Sequence, residues 1–333
     1  MTSDGGRTRS RPSDLPPEAL ASRPKKANAT DLVADSAQQG RAELFEKLPV
    51  VGIFSKTYKG GSLEDVFARA VRDGYCAVHF NFSAVGLPSL PPKLERMTCE
   101  RVALTAAAFG LRIVGVSATY NMIHPSVQRR RAQTRSAQRV IELAPLLGTN
   151  LVTLCTGSRD PTNMWRAHPE NAGARAWDDL VETIEQLRIS AGNAGVTLGI
   201  EPEPGNVVSS PSCAYELLVT HGPQNLGIVL DMANLLGASN RHCQASFMSE
   251  AVDLLAPWLA VIHAKDRDDD DRYCPPGAGW VDWDLCFSLL AARSYRGPVV
   301  VHDIGEAESR RAHSFLVGSI EEQFSPGLSE KLA

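Results

Sequence analysis

The chain has 333 residues, 43% of them apolar and 22% charged, with a formal net charge of −4. That is globular composition with enough apolar surface to bury a substantial core. The acidic balance speaks against a duplex-binding face, so no nucleic-acid partner is expected. No apolar run reaches the ~18 to 20 residues of a membrane helix, so no membrane partner is expected either. The N-terminus lacks the apolar core of a secretory signal, which predicts a cytoplasmic protein. The seven cysteines are scattered and form no C-x-x-C pair, as expected of reduced, mostly buried thiols.

Residues 1–46 are rich in Arg, Ser and Pro and poor in large apolar side chains. Such a segment cannot bury enough surface to offset its ordering entropy, and a disordered N-terminal extension is expected. From there to about residue 325 the pattern alternates. Eight short apolar runs recur, PVVGIF (49–54), CAVHFNF (76–82), RIVGVSA (112–118), NLVTLCT (150–156), VTLGIEP (196–202), LGIVLD (226–231), LAVIHAK (259–265) and GPVVVHD (297–303). Near-continuous Val/Ile/Leu runs fit strands of a parallel sheet covered on both faces.

Helical spacing fills the gaps between them. In SLEDVFARAVRDG, Ser62 suits an N-cap with Asp65 three residues on, and Leu63, Val66, Phe67 and Ala70 share one face. Similar stretches cover 93–109, 127–147, 172–194, 211–220, 246–256, 284–293 and 306–319. Strands and helices alternating over this length predict an α/β fold, a (β/α)8 TIM barrel over residues 47–325. A doubly wound open sheet is the competitor, weakened by the absence of Gly-x-Gly-x-x-Gly after the first strand.

In such a barrel, chemistry sits at the C-terminal ends of the strands. The last four runs end in Glu201, Asp231, His263 and His302, each about one βα unit from the next. Ionisable groups at an apolar rim are costly unless paired or bound to a cation. Two carboxylates and two imidazoles suit one divalent metal ion, Mn²⁺, Mg²⁺, Co²⁺ or Zn²⁺. Separate salt bridges and hydrogen-bonded histidines are the alternative.

The stretches LGIEPEPGNVV, LGIVLDMANLL, VIHAKDR and GAGWVDWDLCFSLLAARSYRGPVVVHD resemble the sugar phosphate isomerase/epimerase family of xylose-isomerase-like TIM barrels, over about residues 48–320. The resemblance implies a metal held by Glu201, Asp231 and His263, with His302 standing where the family usually has a glutamate. Asn234 replaces a further family histidine three residues after the aspartate. Family epimerases use their two glutamates as acid and base on opposite faces of the sugar. Here the corresponding pair is Glu201 and His302, and an imidazole can also carry a proton near neutral pH.

Other polar residues gather near the strand ends as candidate substrate contacts: His79, Asn81, His124, Arg159, Trp165, Arg166, His168, Asn234 and Lys265. Arg159 and Arg166 would clamp a carboxylate or phosphate, or else pin a long loop through salt bridges. Trp165 would stack on a sugar ring. His79 suits a core histidine nearly as well as a substrate contact. Asp266 would orient a neighbouring imidazole. Glu203 shares the face of Glu201 only if the strand continues past Pro202. Asp268–Asp271 reads as a solvated acidic loop, and Cys155 as an inert buried thiol.

The leading expectation is a metal-dependent isomerase or epimerase of a sugar-like small molecule. It would work through an enediolate stabilised by the ion, with Glu201 and His302 as catalytic groups. A lyase or dehydratase using the same site, and a non-catalytic metal- or sugar-binding barrel, are the alternatives. A homo-oligomer is compatible with the sequence.

Overall fold

A computed structural model describes residues 48–324. The expected extension over 1–46 therefore lies outside the described residues, as does the very end of the 47–325 region. Eight parallel strands, β1 (Val51–Phe54), β2 (Ala77–Phe80), β3 (Arg112–Ser117), β4 (Leu151–Cys155), β5 (Thr197–Glu201), β6 (Leu226–Asp231), β7 (Leu259–Ala264) and β10 (Val299–Val301), close into a barrel. Each pairs with the next in sequence, and β10 returns to β1 with Val51 opposite Val299. All eight apolar runs are strands. A short antiparallel ribbon, β8 (Asp266–Arg267) and β9 (Tyr273–Cys274), rises from the rim after β7.

Eight long helices supply the crossovers: α1 (Leu63–Arg72), α2 (Arg96–Ala108), α3 (Val127–Leu143), α4 (Ala174–Ala194), α5 (Pro211–His221), α7 (Gln244–Leu255), α8 (Trp283–Ala292) and α9 (Ser309–Phe324). A single turn, α6 (Met232–Leu235), follows directly on β6. Helix α1 forms as its sequence indicates. Ser62 and Asp65 close a reciprocal capping box, and Leu63, Val66, Phe67 and Ala70 are the buried stripe. No helix among the described residues is long and apolar enough to cross a membrane.

The core has two layers. The larger lies between the sheet and the helices; the smaller fills the barrel with Phe54, Leu151, Val229, Val261 and Val300. Side chains alternate across a strand, so the residue two positions on shares the same face. Leu151 is thus followed inward by Thr153 and Cys155, Val229 by Asp231 and Val261 by His263. Register does the rest: Cys155 pairs with Glu201 and Asp231 with His263 across adjacent strands. The apolar layer is the floor on which the polar groups stand.

First and last units are locked by a buried polar clasp. The Tyr58 hydroxyl donates to Asp73 at 3.0 Å and meets Ser309 Oγ at 2.8 Å, while Tyr75 donates to the Ser309 carbonyl at 2.8 Å. Phe67 is fully buried between α1 and the barrel wall. Phe67→Ala is expected to destabilise the fold by about 3–5 kcal/mol, read as a lowered midpoint in urea denaturation.

Candidate metal centre and active-site cavity

Glu201, Asp231, His263 and His302 converge at the C-terminal rim, each offering one donor atom, and these atoms all lie within 4.8 Å of one another. Their exposures are only 6%, 0%, 2% and 5%, so water cannot solvate the charges. Each imidazole is tied to a carboxylate. His263 Nδ1 is 3.1 Å from Glu201 Oε1, and His302 Nε2 is 2.7 Å from Asp231 Oδ2. A carboxylate only accepts, so His263 Nδ1 carries a hydrogen. Its Nε2 is buried with no hydrogen-bond partner.

The surrounding residues fix these groups. Asn234, on α6, donates its side-chain N–H to Glu201 Oε1 at 3.1 Å and its backbone N–H to Asp231 Oδ1 at 3.1 Å. The Tyr273 hydroxyl donates to Asn234 Oδ1 at 3.0 Å, connecting the ribbon to Glu201 through a single amide. Lys265, nearly fully buried, lies 3.3 Å from Asp231 and 3.4 Å from Asp303, with its ammonium over the Tyr273 ring.

The resulting field sets the charge of each group. Burial opposes ionisation of Asp231, but Lys265 and His302 outweigh it and bring its carboxyl down to about 2. Burial likewise opposes ionisation of Glu201, and His263 and His302 hold it below the ordinary carboxylate value. Burial and the Lys265 charge disfavour a charged His302, yet hydrogen bonds to Asp231 and Asp303 carry it up to about 9. At Glu203, burial and the Glu201 charge outweigh Lys265 and His302 and push it up to about 8. Burial and the neighbouring His263 drive His79 well below the usual imidazole range, so it is neutral.

The donor set fits a divalent cation. Two carboxylates and two imidazoles at one buried point, one with an orphaned nitrogen, suit the ions expected from the ligand types. The centre opens into a cavity of about 670 Å³. Of the candidate substrate contacts, Asn81, Trp165, Asn234 and Lys265 line it; Trp165 is 50% exposed at its mouth. Glu203 also lines it, although β5 ends at Glu201 and the strand does not continue to it. Cys155 faces the cavity as well, its Sγ 3.6 Å from Glu201 Oε2. Burial and the Glu201 charge hold it as a thiol, far from a thiolate nucleophile.

Five candidates are placed elsewhere. His79 lies below the cavity floor, stacked on Phe54 at 4.5 Å with Nε2 3.0 Å from the Thr153 hydroxyl. His124 accepts the Ser126 N–H on Nδ1 and meets the Pro161 carbonyl with Nε2. Arg159 spends its guanidinium on the Ile123 and Arg175 carbonyls and on Asp179. Arg166 pairs with Asp160, and His168 caps the turn Pro169–Ala172. The two arginines thus pin the long loop rather than facing the cavity. Asp266 orients no imidazole: its carboxylate accepts the backbone N–H groups of Arg267, Gly277 and Val281, organising the ribbon.

Lys56, Tyr273 and Asp303 line the cavity without having stood out in the sequence. Asp303 directly follows His302 and was the easiest to find. Tyr273 reaches the site only because the ribbon folds back over it.

Asp179 balances two nearly buried arginines, Arg130 at 2.8 Å and Arg159 at 2.6 Å. Asp179→Ala strands both charges and is expected to destabilise the protein by about 3–5 kcal/mol in chemical denaturation. Arg166→Ala, at a solvent-facing ion pair, is expected to leave the same transition in place.

The family model for xylose isomerase-like TIM barrels matches residues 67–317. No curated protein matches the chain by sequence. Among solved structures, an L-ribulose 3-epimerase superposes with a TM-score of 0.67 at 17% identity, over 86% of this chain and 98% of that one. The 3-keto-D-glucoside 4-epimerase YcjR from E. coli gives 0.65 at 16% identity, over 81% and 99%. A zinc-bound IOLI protein gives 0.62 at 16% identity, over 83% and 99%. Such identities establish the common fold alone. With the family model spanning most of the barrel, the chain belongs to the xylose isomerase-like TIM barrel family.

Proposed function

We propose that the protein is a divalent-metal-dependent isomerase or epimerase of a sugar or sugar-derived small molecule. The observation that carries this reading is the convergence of Glu201, Asp231, His263 and His302 at the floor of a cavity large enough for such a substrate. These four residues would hold the ion. When bound, it supplies Lewis acidity to adjacent carbonyl and hydroxyl oxygens.

The chain's own groups account for the remaining work. Glu201 has Oε1 committed to His263 and Asn234, while Oε2 meets only the Cys155 thiol, so Oε2 is the atom that takes the proton. His302 enters from the end of β10, opposite Glu201, as the fourth ligand or, with the ion held by the other three, as the second proton carrier. Asn234 prevents Glu201 from rotating, and Lys265 offers an ammonium beside Asp231. Trp165 presents an exposed ring at the mouth, suited to the apolar face of a sugar and to excluding water. Two proteins of similar fold are named as an L-ribulose 3-epimerase and a 3-keto-D-glucoside 4-epimerase, which supports the reading. A small-molecule partner and a cytoplasmic site of action belong to the same proposal.

Incubation with a panel of keto-sugars and Mn²⁺ in D₂O, followed by NMR, tests it. The wild-type protein is expected to incorporate deuterium next to the carbonyl and to produce an epimer or isomer of unchanged constitution. Removing metal with a chelator is expected to stop this and to lower the melting temperature, with recovery on adding the ion back. Glu201→Gln keeps the shape but not the base, and exchange should fall by at least about 10²-fold. Undiminished exchange in that variant would remove the mechanism. Loss of water from the substrate would mark elimination instead.

A further inference from the structure

Strand β10 ends at Val301, and the next two residues, His302 and Asp303, both face the cavity. Asp303 has φ = 54°, one of four non-glycine residues with positive φ among the described residues. That left-handed conformation is unfavourable for an L-residue with a side chain, and it persists only where the surroundings enforce it. Here it brings one carboxylate against three nitrogen groups from three strand ends. Asp303 Oδ2 is 3.3 Å from His302 Nδ1 and 3.4 Å from Lys265 Nζ, and Oδ1 is 3.3 Å from Lys56 Nζ.

The contact to His302 has a specific consequence. An imidazole can present either nitrogen, and the partner of one decides the role of the other. A carboxylate only accepts, so Asp303, at ion-pair distance, favours a hydrogen on Nδ1. The opposite nitrogen, Nε2, is 2.7 Å from Asp231 Oδ2, among the other donor atoms, and the hydrogen it carries there is the one a cation at this point would displace. Asp231 then becomes a fellow ligand, and Asp303 is the carboxylate left to hold the ring through Nδ1.

We propose that Asp303 is a positioning residue for the metal centre, its carboxylate gripping His302 Nδ1–H so that Nε2 serves as the fourth ligand. This rests on the reading of the rim as a divalent-metal centre. It also explains the left-handed residue: the turn after β10 is strained so that the carboxylate can reach back to the side chain before it. The histidine and the acid next to it work as a unit, the imidazole as ligand and the carboxylate as its negative charge.

Two variants separate the carboxylate from the backbone. Asp303→Gly removes the grip and suits the positive φ, whereas Asp303→Asn tolerates that φ and retains an oxygen that accepts from Nδ1–H. Titration calorimetry of the full-length protein with Mn²⁺ and with Zn²⁺ is expected to show affinity lower by ~10- to 100-fold in Asp303→Gly. Asp303→Asn is expected to recover most of that loss. The metal-free melting temperature is expected to fall in both variants, because both take a negative charge away from Lys265 and Lys56. In proton NMR of the Zn²⁺-saturated protein, where Nε2 as ligand carries no hydrogen, the downfield imidazole N–H signal that is absent in His302→Ala should survive in Asp303→Asn and vanish in Asp303→Gly. Wild-type affinity in Asp303→Gly would overturn the proposal, as would an equal affinity loss in Asp303→Asn. If the wild-type protein binds neither ion, the metal-centre reading itself fails and this inference with it.

Discussion

Burying four ionisable groups within 4.8 Å of one another is the constraint around which this barrel is arranged. At exposures of 6% or less, water contributes almost nothing to their solvation, and every charge must be met by another charge or a fixed dipole. The barrel meets this demand in layers. An apolar plug of Phe54, Leu151, Val229, Val261 and Val300 fixes the floor. Above it, each imidazole faces a carboxylate, Asn234 bridges two of the ligands, and Lys265 sits beside Asp231. Parallel register makes the arrangement rigid, because Asp231 and His263 are direct neighbours across β6 and β7.

The same layering explains what was legible in the sequence. A strand covered on both faces reads as an unbroken apolar run, so all eight strands and the helices between them stood out. A charged residue ending such a run has nowhere to go but the rim, which is why Glu201, Asp231, His263 and His302 stand out in the sequence itself. Loops carry no comparable rule. Arg159 and Arg166 lie in the right loop for substrate contacts, but position along a chain does not say which way a side chain turns. Both turn to carboxylates, Asp179 and Asp160, that are distant or unremarkable in sequence. Asp266 failed for a related reason: backbone amides of a ribbon that doubles back claim its carboxylate, and such amides leave no trace in residue types. Tyr273 is the converse, joining the site only through that ribbon.

Loop and centre therefore draw on separate sets of charges. Arg130, Arg159 and Asp179 hold the segment after β4 against α4, and none of the three lines the cavity. Among the described residues, the lysines and arginine that do line it already face acids. Lys56 meets Asp303, Lys265 meets Asp231 and Asp303, and Arg267 meets Asp271. A phosphate entering the cavity would have to share these cations with the carboxylates already facing them, its negative charge set against theirs. A neutral polyhydroxylated molecule makes no such demand, because hydroxyls can donate to the acids and accept from the ammonium groups while every pair stays intact. For the proposed sugar substrate, this charge balance suits the unphosphorylated molecule better than its phosphate.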